Sequence, residues 1–160
     1  MKILIVSDNH GRTGNLERMI KAQGKLDYVI HAGDAMGSED YIEVIVDCPL
    51  VIVGGNNDYF SGLPSDAIVN LGKYKVWVTH GHGYGIYRGT ERIEAEMANR
   101  GADIAVVGHT HVPMIKHCGE RIIVNPGSIS EPRQAGRRPS YALMEIDREG
   151  EVHITICYLQ

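Results

Sequence analysis

Residues 1–11 read MKILIVSDNHG, and how this stretch is read decides the fold. Lys2 to Ser7 is a continuous apolar-rich run with no polar alternation, the pattern of a strand covered on both faces. It breaks into Asp8-Asn9-His10-Gly11, a turn-forming tetrapeptide whose side chains can bind metal or move protons. The apolar part, Ile3 to Val6, is far too short for a signal-peptide core or a membrane span. It therefore reads as a first β-strand feeding a polar turn.

The same unit recurs further along the chain. Leu16, Met19, Ile20 and Gln23 fall at helical spacing and Gly24 closes that segment. Tyr28 to Ala32 is a second buried strand, and Leu50 to Val53 a third that ends in Gly54-Gly55. Between them, Ser38 to about Asp47 is expected to be helical despite its Ile and Val content. Ala67 to Leu71 and Tyr74 to Thr79 read as a hairpin around Gly72-Lys73. Thr90 to Arg100 is a helix with Thr90 as N-cap and Gly101 beyond its end. Ile104 to Val107, Met114 to Cys118, Arg121 to Val124, Tyr141 to Ile146 and Val152 to Tyr158 complete a strand-rich second half. A βα-rich first half followed by hairpins predicts a mixed α/β sandwich without repeats or linkers, a single domain over residues 1–160.

Charge and cysteine content narrow the function classes. The net charge is −4 and no Lys/Arg stripe offsets it, which argues against broad nucleic-acid binding. A small phosphorylated substrate stays compatible, because bound cations would supply positive charge locally. Cys48, Cys118 and Cys157 are widely spaced and odd in number, so neither a thiolate zinc site nor a disulfide framework is expected. A cytoplasmic protein with reduced cysteines fits this pattern.

The polar residues with metal-binding or catalytic potential stand in order along the chain. Asp8 and His10 follow the first strand, Asp34 the second and Asn56 the third; His80 follows the Tyr74 to Thr79 strand. His109 and His111 follow the Ile104 to Val107 strand. If these strands run parallel, all seven side chains meet in one crevice beyond their carboxyl ends. Carboxylate, amide and imidazole donors without thiolate suit hard-to-borderline divalent metals. Glycines at 33, 55, 81 and 108 flank the donors and permit tight turns there. His31 lies inside an apolar strand and reads as a satisfied core residue. His117 and His153 read as ordinary strand positions.

Asp8-Asn9-His10, Gly33-Asp34, Gly55-Asn56-Asn57-Asp58, His80-Gly81-His82 and Gly108-His109-Thr110-His111 together resemble the calcineurin-like metallophosphoesterase superfamily, in its small single-domain bacterial and archaeal phosphodiesterase branch. Each motif alone is weak, but five in order are specific. The resemblance implies a four-layer αββα sandwich of two mixed sheets flanked by helices. It implies one metal on Asp8, His10, Asp34 and His111, and a second sharing Asp34 and held by Asn56, His80 and His109. Manganese is the first expectation, with iron, zinc, nickel or magnesium as alternatives. Two cations about 4 Å apart would generate a bridging hydroxide for in-line attack on a phosphodiester.

The chain departs from the family at Asn57, where many relatives carry a His that contacts phosphate or assists the leaving group. A carboxamide donates a hydrogen bond but is no general acid. Proton delivery then falls to water, Asp58 or His82, and acidic leaving groups are expected to react best. His82 either touches phosphate or caps its loop. Asn125-Pro126-Gly127-Ser128 resembles a family turn near the site, and Arg133, Arg137 and Arg138, which could contact an extended substrate, read rather as solvated loop charge. Phosphomonoester or nucleotide hydrolysis at the same site is the first rival. A protein-binding scaffold, as in the retromer relative that has lost part of this constellation, is the second. An exposed edge among the C-terminal strands could pair with a second copy.

Overall fold

The computed structural model describes residues 1–159. Its elements are β1 (Lys2–Val6), α1 (Gly14–Gln23), β2 (Tyr28–His31), α2 (Glu39–Ile45), β3 (Leu50–Ile52), β4 (Asp66–Leu71) and β5 (Tyr74–Thr79). Two 3-10 turns, His82–Tyr84 and Ile86–Arg88, then lead to α3 (Glu91–Arg100). The chain continues through β6 (Ile104–Val106), β7 (Met114–Cys118), β8 (Arg121–Asn125), β9 (Ser140–Ile146) and β10 (Val152–Tyr158). Among the described residues, no helix is long and apolar enough to cross a membrane.

The strands form two mixed five-stranded sheets, ordered β10-β9-β1-β2-β3 and β4-β5-β6-β8-β7. β1, β2 and β3 run parallel to one another, as do β5, β6 and β8. The remaining strands pair antiparallel, including the β4–β5 hairpin that turns at Gly72-Lys73. β10 is an edge strand of the first sheet, where an exposed edge was expected.

Three apolar clusters separate four layers. The central one packs Ile3, Ile5, Ile30 and Met144 of the first sheet against Val76, Val78, Ile104 and Val124 of the second. Alternate residues of the same strands face outward. Leu4, Val6 and Val29 meet Leu16 and Met19 of α1 and Ile42 of α2. Trp77, Ala105 and Ile123 meet Ile93 and Met97 of α3. Both faces of β1, β2, β5 and β6 are thus covered, which is why their sequences are apolar without alternation.

Helix ends differ in detail from expectation. α2 stops at Ile45 rather than near Asp47, because Val46 turns extended (ψ 117°) on the approach to Pro49. Thr90 does precede α3, but its hydroxyl donates to Glu94 (2.6 Å) and accepts from Lys116 Nζ instead of capping the backbone. The 3-10 turns after His80 carried no periodic signal in the sequence.

Candidate metal centre

Parallel pairing places the ends of six strands side by side. The turns after β1, β2 and β3 of one sheet face those after β5, β6 and β8 of the other. Backbone hydrogen bonds lace these turns together: Asp8 N–H donates to the Gly33 carbonyl (3.0 Å) and His10 N–H to that of Asp34 (3.0 Å). Gly108 N–H donates to the His80 carbonyl (3.1 Å), and His109 N–H to Asp8 Oδ2 (3.1 Å). The glycines at these crossings are close-packed. A Cβ on Gly33 would lie 2.7 Å from His80 Nδ1 and 2.9 Å from the Gly55 nitrogen. Five of the donor residues, Asp8, His10, Asp34, His109 and His111, hold left-handed backbone with φ between 48° and 69°. Such conformations are costly for non-glycine residues and persist where surrounding contacts impose them.

The imidazoles are oriented from behind. His80 Nδ1 faces the Ala32 carbonyl at 2.7 Å and His111 Nδ1 the Glu131 carbonyl at 2.6 Å. A carbonyl only accepts, so both rings donate from Nδ1 and, when neutral, present an Nε2 lone pair. His10 Nδ1 lies 2.9 Å from Met36 Sδ, which directs its Nε2 inward too. The inward nitrogens crowd other acceptors. His10 Nε2 is 3.2 Å from His111 Nε2, and His80 Nε2 is 3.1 Å from Asn56 Oδ1 and 3.4 Å from Asp34 Oδ2.

Asp8 Oδ1 sits at the centre of this arrangement. His111, His10 and His80 approach it through Nε2 at 3.1, 3.8 and 3.9 Å, yet it has no aligned hydrogen-bond partner among the described residues. A buried carboxylate oxygen ringed by imidazole lone pairs is electrostatically unfavourable unless a cation or protons occupy the space between them. Divalent metal resolves the conflict, and carbonyl-anchored histidines are how proteins aim such ligands. The residues present therefore fit the group. Among the described residues, two groups each bring their donor atoms within 4.8 Å of one another: Asp8, His10 and His111, and Asp8, Asp34 and His80.

The titration behaviour follows from the same contacts. Burial pushes the Asp8 and Asp34 carboxyls up, but the neighbouring His111 and His80 outweigh it, and both stay below the usual carboxylate range. The reverse holds for His80 and His111, which burial pulls down and the two carboxylates hold above the ordinary imidazole value. His109 is pushed down to about 4, by burial first and then by the charge of His80.

Asp8, His10, Asp34, Asn56, His80 and His111 are thus brought together. His109 stands at the rim, its ring 5.1 Å from His80 and edge-on to Tyr87 at 4.7 Å. His82 is exposed on the first 3-10 turn, its ring 5.4 Å from His80. Asn57 reaches Asp34 twice, donating from its backbone to Oδ1 (2.8 Å) and from its amide to Oδ2 (2.6 Å). The Asp58 carboxylate accepts three backbone N–H groups, from Asp34 (2.7 Å), Gly55 (2.7 Å) and Met36 (2.6 Å). His31 is buried beneath the site, its Nδ1 accepting from Gly33 N–H and its Nε2 donating to Asn9 Oδ1. Burial pushes it down to about 4, and it stays a neutral core residue.

Sequence reasoning missed Met36 and Glu131, which orient His10 and His111. A thioether and a backbone carbonyl leave no signal without the fold. Asn125 and Ser128 were placed near the site, and here they brace it. Asn125 Nδ2 donates to the Gly108 carbonyl (2.8 Å) and Ser128 Oγ to that of Asp8 (2.7 Å).

Comparison with known proteins gives this site its family. The family model of the calcineurin-like phosphoesterase superfamily domain matches residues 1–149. The chain belongs to that superfamily. It is 30% identical over 150 residues to the probable metallophosphoesterase YsnB of Bacillus subtilis, covering 93% of this chain and 86% of YsnB. It is also 30% identical over 171 residues to phosphodiesterase YfcE of Escherichia coli, covering 92% and 89%. The fold matches a conserved Streptococcus pneumoniae protein described as a predicted phosphoesterase, with TM-score 0.81, 30% identity and coverage of 99% and 97%. The family name and the αββα sandwich expected from the five motifs both hold. The superfamily is one of phosphoester hydrolases, and this chain carries metal-ligating residues at its candidate site.

Proposed function

We propose that this protein hydrolyses phosphodiesters using two divalent cations, with manganese the first choice, in the cytoplasm. The observation that carries the reading is the buried Asp8 Oδ1, approached by the inward-facing Nε2 atoms of His111, His10 and His80. Asp8, His10, Asp34 and His111 would hold one ion; Asp34, Asn56, His80 and His109 would hold the other. Asp34 Oδ2 lies 3.8 Å from His10 Nε2 and 3.4 Å from His80 Nε2, one donor proposed for each ion, which suits a shared ligand. Bound there, such ions supply a nucleophilic water near neutral pH and offset charge that grows on the phosphoryl oxygens. Displacement in line at phosphorus then needs no serine or cysteine nucleophile. The preference for diesters is supported by the likeness to phosphodiesterase YfcE of Escherichia coli.

In this reading Asp58 is a positioning residue. Its two oxygens are taken up by three N–H groups and tie the β2 turn to the β3 turn, so it is poorly placed to deliver a proton. His82, exposed beside His80, and water remain as proton sources. Replacing Asn57 with His is expected to flatten the dependence of kcat on leaving-group pKa across a series of aryl phosphodiesters. An unchanged slope would remove the idea that residue 57 governs leaving-group departure.

The test of function strips the protein with chelator and assays bis-p-nitrophenyl phosphate beside p-nitrophenyl phosphate, with and without Mn²⁺. Metal-dependent turnover of the diester supports the proposal, and turnover of the monoester alone favours a phosphatase. No turnover with any divalent ion would favour a binding scaffold on this fold.

A further inference from the structure

Beside the metal ligands lies a second cleft of about 530 Å³, lined by Arg12, Ser130, Glu131, Pro132, Arg133 and Arg137. None of these is a metal ligand, yet three of them are tied to the turns that carry ligands. The Glu131 carbonyl accepts from His111 Nδ1 (2.6 Å), and Arg133 N–H donates to the His111 carbonyl (3.1 Å), so the cleft begins where His111 is clamped. Arg12 stands two residues after His10 and its backbone N–H donates to the Asn9 carbonyl (2.9 Å).

The Arg133 side chain is not loose. Its guanidinium donates to the Tyr87 hydroxyl, which donates in turn to the His109 carbonyl (3.2 Å). Arg133 therefore ties its own loop, directly and through Tyr87 of the second 3-10 turn, to the single turn that carries His109 and His111. Arg137, on left-handed backbone (φ 44°), also lines the cleft. One carboxylate, Glu131, faces the cleft and pairs with Arg12 at 3.2 Å, leaving an excess of two positive charges around it. In a chain of net charge −4 this is local concentration, not background.

We propose that this cleft is a subsite for a second anionic group of the substrate, a terminal phosphate close to the scissile phosphorus. The substrate class is then a small phosphodiester that also carries a terminal phosphate, such as a 5′-phosphorylated dinucleotide. Arg133 determines specificity, and Tyr87 positions it. Guanidinium groups suit this task because their fork matches phosphate oxygens and they stay charged at every physiological pH. The inference rests on the phosphoesterase reading for the first phosphate, but its binding site is separate.

The test measures binding, so it does not depend on turnover. Thymidine 3′,5′-bisphosphate and thymidine 5′-monophosphate are titrated calorimetrically into protein supplemented with Mn²⁺. Wild type is expected to bind the bisphosphate about 10-fold or more tightly than the monophosphate, the scale of one charge-assisted hydrogen bond. Arg133→Ala is expected to bring that ratio close to 1, and Tyr87→Phe to reduce it partway. Arg148→Ala, which removes an equal charge from the exposed β9–β10 turn, is expected to leave the ratio unchanged. A wild-type ratio near 1, or no binding of either nucleotide at millimolar concentration, overturns the subsite. So does an Arg133→Ala variant that weakens both ligands equally, since that would put Arg133 on the scissile phosphate. Absence of bis-p-nitrophenyl phosphate turnover with the 10-fold ratio intact would instead overturn the hydrolase reading and spare the subsite.

Discussion

Asp34→Asn is expected to lower metal-dependent kcat/KM on bis-p-nitrophenyl phosphate by about 10³-fold, the scale of losing one preorganised electrostatic contact at a reacting centre. The residue is buried, with Oδ2 3.4 Å from His80 Nε2 and 3.8 Å from His10 Nε2, one donor proposed for each ion. An amide keeps the shape but removes the negative charge that two cations would share. It also places an NH₂ or a neutral oxygen where a carboxylate oxygen stood. The fold should survive, because the main-chain contacts do not need the charge. Asp34 N–H still donates to Asp58, and His10 N–H still donates to the Asp34 carbonyl. Metal content by elemental analysis and Tm separate the two effects. Loss of one metal equivalent, with the Tm of the chelator-stripped variant matching that of chelator-stripped wild type, is the expected pair. A variant that keeps full metal and more than a tenth of wild-type turnover would show that Asp34 is not a shared ligand.

The fold could be read because its strands are covered on both faces. Ile3 to Val6, Tyr28 to His31 and Ile104 to Val106 feed two different apolar clusters from alternate residues, so they stand out as unbroken apolar runs. The donors could be read because each falls just after such a run, where parallel strands end together. The company those donors keep was hidden. Asp8, His10, Asp34, His109 and His111 all adopt left-handed backbone, and none is the glycine or asparagine that advertises it. Asp58 reads in the sequence as a free acid after Asn57. Only when the β2 and β3 turns meet does its carboxylate find the N–H groups of Asp34, Met36 and Gly55. The arginines of residues 133 and 137 read as solvated charge for the same reason, since the Tyr87 hydroxyl that holds Arg133 comes from 46 residues away.

Gly55→Ala is expected to do nearly as much damage as Asp34→Asn, although the wild-type residue has no side chain. A Cβ at this position would run into Asp34 Oδ1 and lie 2.6 Å from the Asp34 nitrogen and 2.8 Å from its Cγ. Those atoms have little room to yield. The Asp34 N–H is held by Asp58 Oδ2, and Oδ1 accepts the Asn57 N–H at 2.8 Å. Either the β3 turn retreats, breaking the Gly55 N–H bond to Asp58, or Asp34 swings out of the donor cluster. Overpacking of this kind costs roughly 1–3 kcal/mol, and either adjustment disturbs how the Asp34 carboxylate is held, by moving it or by pulling away the Asn57 donors. The neighbouring glycine supplies the control. A Cβ on Gly54 would meet only Leu63 and Pro64 at 3.5 Å or more, and its N–H bond to the Pro64 carbonyl is untouched by alanine. Gly54→Ala should therefore keep wild-type metal content and turnover, while Gly55→Ala loses metal and about 10²-fold or more in kcat/KM. Equal behaviour of the two alanine variants would mean that backbone approach at residue 55 does not set the position of Asp34. A Tm lowered in both with activity lowered in neither would assign the glycine pair to the turn alone.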